Sequence, residues 1–265
     1  MLPEVAANRK AWGLLAQDHY QHFRRALSER RSLLNRIVTA ELGDIAGRKL
    51  IHLQCNTGAD TISLARLGAT VTGVDLVPDN VKYARLLAAD CGVDGARFIE
   101  ADLMQFGEVH GEQYDIVFTS EGALCWLPDL QIWANTVRKL LREDGFFYVF
   151  DGHPFYQVFD ENKLPAGELS LRYPYFSRVP DRGDEIGGYA AERRTGENYC
   201  WNYTAGDVIN SLIRAGLQIE YFHEFDVLFY DQGGMQQVEP GLFRDERFAG
   251  ILPATFSLKA TVRPT

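Results

Sequence analysis

The stretch from Leu50 to Asp75 constrains this chain more than any other segment. Leu50-Ile51-His52-Leu53 is a largely apolar run that breaks at Gln54-Cys55-Asn56-Thr57-Gly58, gives way to a helical pattern, and returns as Val71-Thr72-Gly73-Val74 ending in Asp75. Buried strand, tight turn, helix and second buried strand make a βαβ unit, whose right-handed crossover brings the turn and Asp75 to one carboxyl edge of a parallel sheet. Backbone N–H groups at the start of the following helix face a ligand there, and a strand-end acid stands where a ribose diol is held, so the unit reads as nucleotide-binding. Gly58 and Asp75 lie 17 positions apart, near the roughly 20 expected for a ribose acid.

The turn lacks the several glycines of a dinucleotide fingerprint and the lysine of a phosphate loop, which argues against a pyrophosphate ligand. Asn56 tolerates the left-handed conformation almost as a glycine does, so the turn still forms, whereas Gln54 places a side chain where bare backbone would admit a phosphate.

The rest of the chain alternates in the same way. Periodicity predicts strands at Lys49–Leu53, Thr70–Asp75, Ala96–Ile99, Tyr114–Thr119 and Phe146–Phe150, with helices near Asp60–Leu67, Pro78–Cys91 and Leu130–Leu141. One amphipathic helix over Val5–Leu27 and a second over Ser32–Leu42 precede them, and a helix at Ala205–Ala215 with extended runs at Leu217–Tyr230 and Thr255–Val262 follows. Such alternation implies a doubly wound parallel sheet, with Asp75, Asp102, Ser120, Glu121, Asp151 and His153 all along its ligand edge. Between His153 and Tyr203 the sequence is rich in Pro, Gly and aromatics without a clean period, which reads as a lid. The expected organisation is a single domain: residues 1–47 a helical cap, 48–151 the core, 152–203 the lid insertion, and 204–265 a helix and β-hairpin.

Composition narrows the partners. The net charge is −9, from 27 basic and 36 acidic side chains. No Lys/Arg stripe tracks a phosphate backbone, so a nucleic-acid substrate is not expected. No run of about 18 apolar residues and no signal peptide suggest a membrane or export. Cys55, Cys91, Cys125 and Cys200 form no C-x-x-C, which fits a reducing, cytoplasmic setting and no metal site. Oligomeric state is not legible.

The first 151 residues resemble, in order and in register, the core of the class I S-adenosylmethionine-dependent methyltransferases of the bacterial small-molecule type. His52-Leu53-Gln54-Cys55-Asn56-Thr57-Gly58 lies where that family has an acid-x-Gly-x-Gly-x-Gly loop. Gly73-Val74-Asp75 is similar to its ribose-binding strand end, and Glu100-Ala101-Asp102-Leu103 to its adenine-binding turn. Tyr114 to Ser120 matches its fourth strand, Cys125 to Asp129 the segment before the next helix, and Leu140 to Phe147 the helix, turn and fifth strand. The departures are His52, Gln54 and Asn56.

The resemblance implies a Rossmann-like, seven-stranded, mostly parallel sheet with an antiparallel final strand, and S-adenosyl-L-methionine as cofactor. The cofactor would be held by His52, Gln54, Asn56, Gly58, Asp75, Leu76, Asp102, Leu103 and Ser120, although Asp102 reads equally as a helix N-cap. The leading helix is expected to close over the cofactor, bringing Asn8, Trp12, His19 and Tyr20 near the site. Acceptor contacts are expected from Trp12, Tyr20, Trp126, Tyr156, Tyr175 and Trp201, with His153 and Glu121 the candidate bases for a hydroxyl acceptor. The implied activity is methyl transfer to oxygen or nitrogen of a small metabolite. Two alternatives stay open: a same-fold enzyme putting the cofactor to non-methyl chemistry such as cyclisation, and a non-catalytic nucleotide-binding protein.

Overall fold

The computed structural model describes residues 1–263. Helices α1 (Pro3–Gly13), α2 (Ala16–Glu29) and α3 (Arg36–Leu42) lead into β1 (Lys49–Leu53), α4 (Ala59–Arg66), β2 (Thr70–Asp75), α5 (Pro78–Asp90), β3 (Arg97–Glu100), α6 (Leu103–Val109), β4 (Tyr114–Ser120), α7 (Leu130–Leu140) and β5 (Leu141–Gly152). A hairpin of β6 (Asp181–Ile186) and β7 (Arg194–Cys200) follows, then α8 (Ala205–Arg214), β8 (Leu217–Phe225), a small hairpin of β9 (Gln236–Glu239) and β10 (Leu242–Arg244), and β11 (Thr255–Val262). The seven-stranded sheet runs β3-β2-β1-β4-β5-β11-β8. Its pairings are parallel from β3 to β5, and β11 runs antiparallel to both β5 and β8.

Both faces of this sheet are covered, which is why its strands read as nearly continuous apolar runs. Ile51, Leu53, Val117 and Phe147 pack with Trp133 and Leu212 under α7 and α8. Leu50, Phe118 and Tyr148 pack with Val38 and Leu64 under α3 and α4 on the other face. After β3 the chain crosses back to lay β4 beside β1, so the strand order reverses between these two neighbours, and the carboxyl edge opens at that point.

Several boundaries differ from the sequence reading. The single helix expected over Val5–Leu27 is two, because the chain turns at Leu14-Leu15 and drives Leu15 into the interior. The helix expected over Ser32–Leu42 starts only at Arg36, where the Asn35 side chain accepts from Val38 N at 3.0 Å. Helix α6 had no periodic signal. The segment read as an irregular lid contains the β6–β7 hairpin, and the extended run past Phe225 leaves the sheet for an insertion holding β9 and β10. Helix α1 is clasped to β7: Asn8 Nδ2 donates to Tyr199 O at 2.8 Å, and Tyr199 N donates to Asn8 Oδ1 at 2.7 Å.

Candidate functional site

The turn after β1 is left-handed at three of five positions: Gln54 (φ 56°), Asn56 (φ 49°) and Gly58 (φ 79°). Among the described residues, only one further non-glycine residue has positive φ, Glu121 (φ 25°) at the end of β4. All three such residues therefore stand at the carboxyl ends of the two strands flanking the switch in strand order. Backbone strain of this kind, costing on the order of 1–3 kcal/mol per residue, clusters where a ligand is held.

Asp75 organises the turn from β2. Its Oδ2 accepts from Asn56 N at 2.8 Å, and its Oδ1 accepts from Val77 N at 2.9 Å and Asn80 Nδ2 at 3.1 Å. Burial nonetheless pushes this carboxyl up to about 6, the mark of a charge lacking a partner. Around it lie buried polar atoms without one: Asn80 Oδ1, Gln54 Oε1 and Thr57 Oγ1.

His19, fully buried on α2, adds another. Asn56 Oδ1 already accepts from Thr57 N at 2.6 Å, so the His19 Nδ1 proton points to that same oxygen at 3.1 Å. Nε2 then carries a lone pair that meets no donor. Burial holds the ring below its usual range and hence neutral. It sits among Trp12, Phe23 and Tyr189, with the Tyr189 ring 5.0 Å away.

A second network runs beneath. His52 is buried with Nδ1 2.9 Å from Thr61 Oγ1 and Nε2 3.1 Å from Ser120 Oγ, while Ser120 donates to Asp60 Oδ2 at 2.9 Å. With the serine proton spent on Asp60, His52 donates through Nε2 and accepts from Thr61. Burial pushes its pKa down to about 3, so it stays neutral. Glu121 accepts from Asn35 Nδ2 at 3.1 Å, and enclosure together with the nearby Asp60 charge pushes its carboxyl well up. Its side chain is accessible yet surrounded by protein, as is that of Tyr189: both line a recess rather than the outer surface.

Beside the recess a cleft of about 480 Å³ opens between lid and core, lined among others by Trp126, Tyr156, Tyr173, Tyr230, Glu161 and Arg172. Tyr230 lies 6.2 Å from Tyr189, and Trp126 lies 5.1 Å from Trp12, so cleft and recess adjoin.

Comparison with known proteins fits this geometry. Residues 51–149 match the family model described as a methyltransferase domain. The match covers the core from β1 to β5. Over 108 residues, 41% of its length, the chain is 31% identical to a ubiquinone biosynthesis O-methyltransferase of Salmonella paratyphi A. The match spans 44% of that relative, so the chain aligns with less than half of the curated relative's length. An S-adenosylmethionine-dependent methyltransferase from Mesorhizobium loti shares the fold at a TM-score of 0.55 and 21% identity, over 83% of this chain and 94% of that one. The DhpI–SAH complex does so at 0.58 and 15%, over 99% and 98%. The overall architecture is the Rossmann-like class I methyltransferase fold.

Within this fold the expected cofactor residues are gathered unevenly. Gln54, Asn56 and Gly58 form the turn with Asp75 and Leu76 beside it, whereas the Ser120 hydroxyl is engaged beneath it by His52 and Asp60. Asp102 caps α6 by accepting from Met104 N at 3.0 Å, leaving its second oxygen free, and Leu103 is buried beside it. His52 instead sits under the turn with both ring nitrogens engaged inside the protein. Gly58 is required by packing as much as by its φ, since a Cβ there would lie 2.8 Å from Phe98 Cε1 and 3.0 Å from Ala84 Cβ.

Of the acceptor candidates, Trp126 and Tyr156 line the cleft and Trp12 backs Trp126. Tyr20 turns away, stacking on Tyr83 and donating to Asp90 Oδ2 at 2.6 Å. Tyr175 Oη accepts from Ala205 N, and Trp201 is buried beside Asp151 outside the cleft. Glu121 faces the recess, but His153 does not join it. The His153 Nδ1 accepts from Phe155 N at 3.1 Å, its Nε2 lies 2.9 Å from Glu224, and the ring packs on Phe222 and Phe256. Asp151 also turns inward, accepting from Gly122, Ala123 and Leu124 N at 2.5, 3.1 and 3.0 Å to fold the segment carrying Trp126. Sequence reasoning singled out neither Asp60 nor Tyr230 and held Tyr189 only as one of many lid aromatics; Asp60, in the first turn of the helix after the loop, had a positional signal.

Proposed function

We propose that this chain is an S-adenosylmethionine-dependent methyltransferase that methylates oxygen or nitrogen of a small metabolite bound in the cleft under the lid. The observation that carries the reading is the surplus of acceptors around the turn. Asp75, Asn80 Oδ1, Gln54 Oε1, Thr57 Oγ1 and His19 Nε2 are buried groups seeking donors, and an adenosine diol with an amino-acid ammonium supplies donors of that kind. The residues present therefore fit the cofactor, with Asp75 and Asn80 toward the ribose, Asp102 and Leu103 toward the base, and Gln54 and Thr57 toward the amino-acid end, which leaves His19 Nε2 for the acceptor.

When bound, the cofactor supplies a methyl group already activated by its positive sulfur. The protein's share is to orient the acceptor, exclude water and receive a proton. Trp126, Tyr156 and Tyr230 orient; the β6–β7 hairpin and α1 cover. His19 is neutral with a free Nε2, so it accepts a proton from an acceptor hydroxyl or amine, whereas Glu121, pushed well up, retains its own proton more readily. Four free cysteines support a cytoplasmic, reducing setting.

Calorimetry with S-adenosylhomocysteine, and mass spectrometry of the nucleoside formed from S-adenosylmethionine with metabolite pools, test the reading. The expected result is binding, with S-adenosylhomocysteine as product, and a His19→Gln protein that stays folded but turns over on the order of 100-fold more slowly. A folded wild-type protein that does not bind S-adenosylhomocysteine overturns the proposal, and methylthioadenosine as product would replace methyl transfer with another chemistry.

A further inference from the structure

Two thiols that the proposed chemistry does not use meet at the seam between lid and core. Cys200 is the last residue of β7, in the lid, and Cys125 lies in the short 3-10 turn Leu124–Trp126 that Asp151 folds, in the core. Their Sγ atoms are 3.9 Å apart, with Cys200 donating to Cys125. Trp201 N donates to Cys125 O at 2.8 Å, holding the two backbones side by side. Both cysteines are half-buried and line the 480 Å³ cleft, so a small reagent entering the cleft reaches them. No group of three metal-ligating side chains exists among the described residues, which leaves redox chemistry rather than metal binding for the pair.

We propose that Cys125 and Cys200 are a redox-modification site, closing to a disulfide that fastens the lid to the core when the chain meets a low-molecular-weight disulfide. Closure requires the sulfurs to approach by about 1.9 Å, from 3.9 Å to the roughly 2.05 Å of a bond. In the first step the Cys200 thiolate attacks one sulfur of R–S–S–R, the S–S bond breaks, and R–S⁻ leaves and takes up a proton. The Cys125 thiolate then attacks the Cys200 sulfur of the mixed disulfide and expels the second R–S⁻. Two protein thiols are oxidised and one reagent disulfide is reduced to two R–SH. Contact with Cys200 and burial push the Cys125 thiol well up, which makes Cys200 the attacking and Cys125 the resolving group. This chemistry is independent of what the cleft binds; its effect on acceptor entry rests on the function proposed above.

The test treats the full chain with bis(2-hydroxyethyl) disulfide, a reagent small enough for the cleft, and follows it by intact mass, non-reducing peptide mapping and hydrogen exchange. The expected results are loss of two hydrogens from the intact mass, one linked pair of peptides joining Cys125 to Cys200, and at least tenfold slower exchange of the β7 amides, all reversed by dithiothreitol. Cys200→Ser should end as a stable reagent adduct or remain unmodified, with no linked peptide, while Cys91→Ser should link as the parent does. S-adenosylhomocysteine affinity, read in parallel, reports on the cofactor site, so failure of that site and failure of the dithiol are seen separately. Persistent reagent adducts on the parent without a linked peptide, a link to Cys55 or Cys91 instead, or a link with unchanged β7 exchange would overturn the proposal. If Cys200→Ser does not fold, Cys125→Ala serves in its place with the same expectation.

Discussion

Replacing Asp75 by asparagine should separate ligand binding from folding. The carboxyl ionises near pH 6 in the folded chain against its ordinary 3.8. At about 1.4 kcal/mol per unit, keeping it charged at neutral pH costs the free protein about 3 kcal/mol. The sign follows from proton binding. Between these two values the folded chain holds a proton that the unfolded chain has lost, so stability falls as pH rises through this window and levels off above it. Asp75→Asn removes that cost. It also turns an amide N–H toward Asn56 N or Val77 N, forfeiting a bond and stranding a buried donor for about 1–3 kcal/mol. The two effects nearly cancel, and the melting temperature should move by no more than about 8 °C, given roughly 2–4 °C per kcal/mol for a chain of this size.

The ligand, by contrast, loses a charge-assisted acceptor worth about 1.5–3 kcal/mol, a drop of roughly 10- to 150-fold in affinity for S-adenosylhomocysteine. Because bound hydroxyls favour the carboxylate, wild-type affinity should also climb as pH rises from 5 to about 6 and stay flat beyond, with a proton released on binding near pH 6; the variant should show neither. Titration calorimetry across pH, in buffers of different ionisation enthalpy, reads all of this. Unchanged affinity in the folded variant, or wild-type affinity that falls over that range, refutes the argument.

Two further outcomes follow from the packing. Gly58→Ala places a methyl 2.8 Å from Phe98 at a left-handed position, and thermal denaturation should show a loss of about 1–3 kcal/mol even without ligand. Asp151→Ala strands three buried N–H groups at Gly122, Ala123 and Leu124; hydrogen exchange should find those amides deprotected, with a stability loss of about 3–5 kcal/mol.

The core was legible because burial on both faces leaves a strand no freedom of composition: β1, β2 and β4 read as apolar runs, and Asp75 ends one of them where the edge begins. The lid was not. Its strand β6, Asp-Arg-Gly-Asp-Glu-Ile, belongs to a two-stranded hairpin with mostly solvated side chains, so no period-two pattern marks it. The site divides in the same way. Strand ends fix which residues reach the edge, and Glu121 was placed so, but they do not fix which way a side chain turns once past it. His153 reaches the edge and then faces β11, because its N–H pairs with Ala254 O and its ring is drawn between Phe222 and Phe256. Asn56→Gly illustrates the remainder: backbone freedom alone makes that exchange look harmless, yet the Asn56 amide oxygen joins Thr57 N to His19.

The clasp between Asn8 and Tyr199 gives α1 the role of a third strand on the lid hairpin, a side-chain amide standing in for a neighbouring peptide group with one bond given and one received. Arg194 reinforces the join from the other strand end through Asp18 on α2. Cap and lid, separated by more than 150 residues of sequence, are therefore pinned to each other, so that neither lifts from the core without carrying the other along or breaking these bonds.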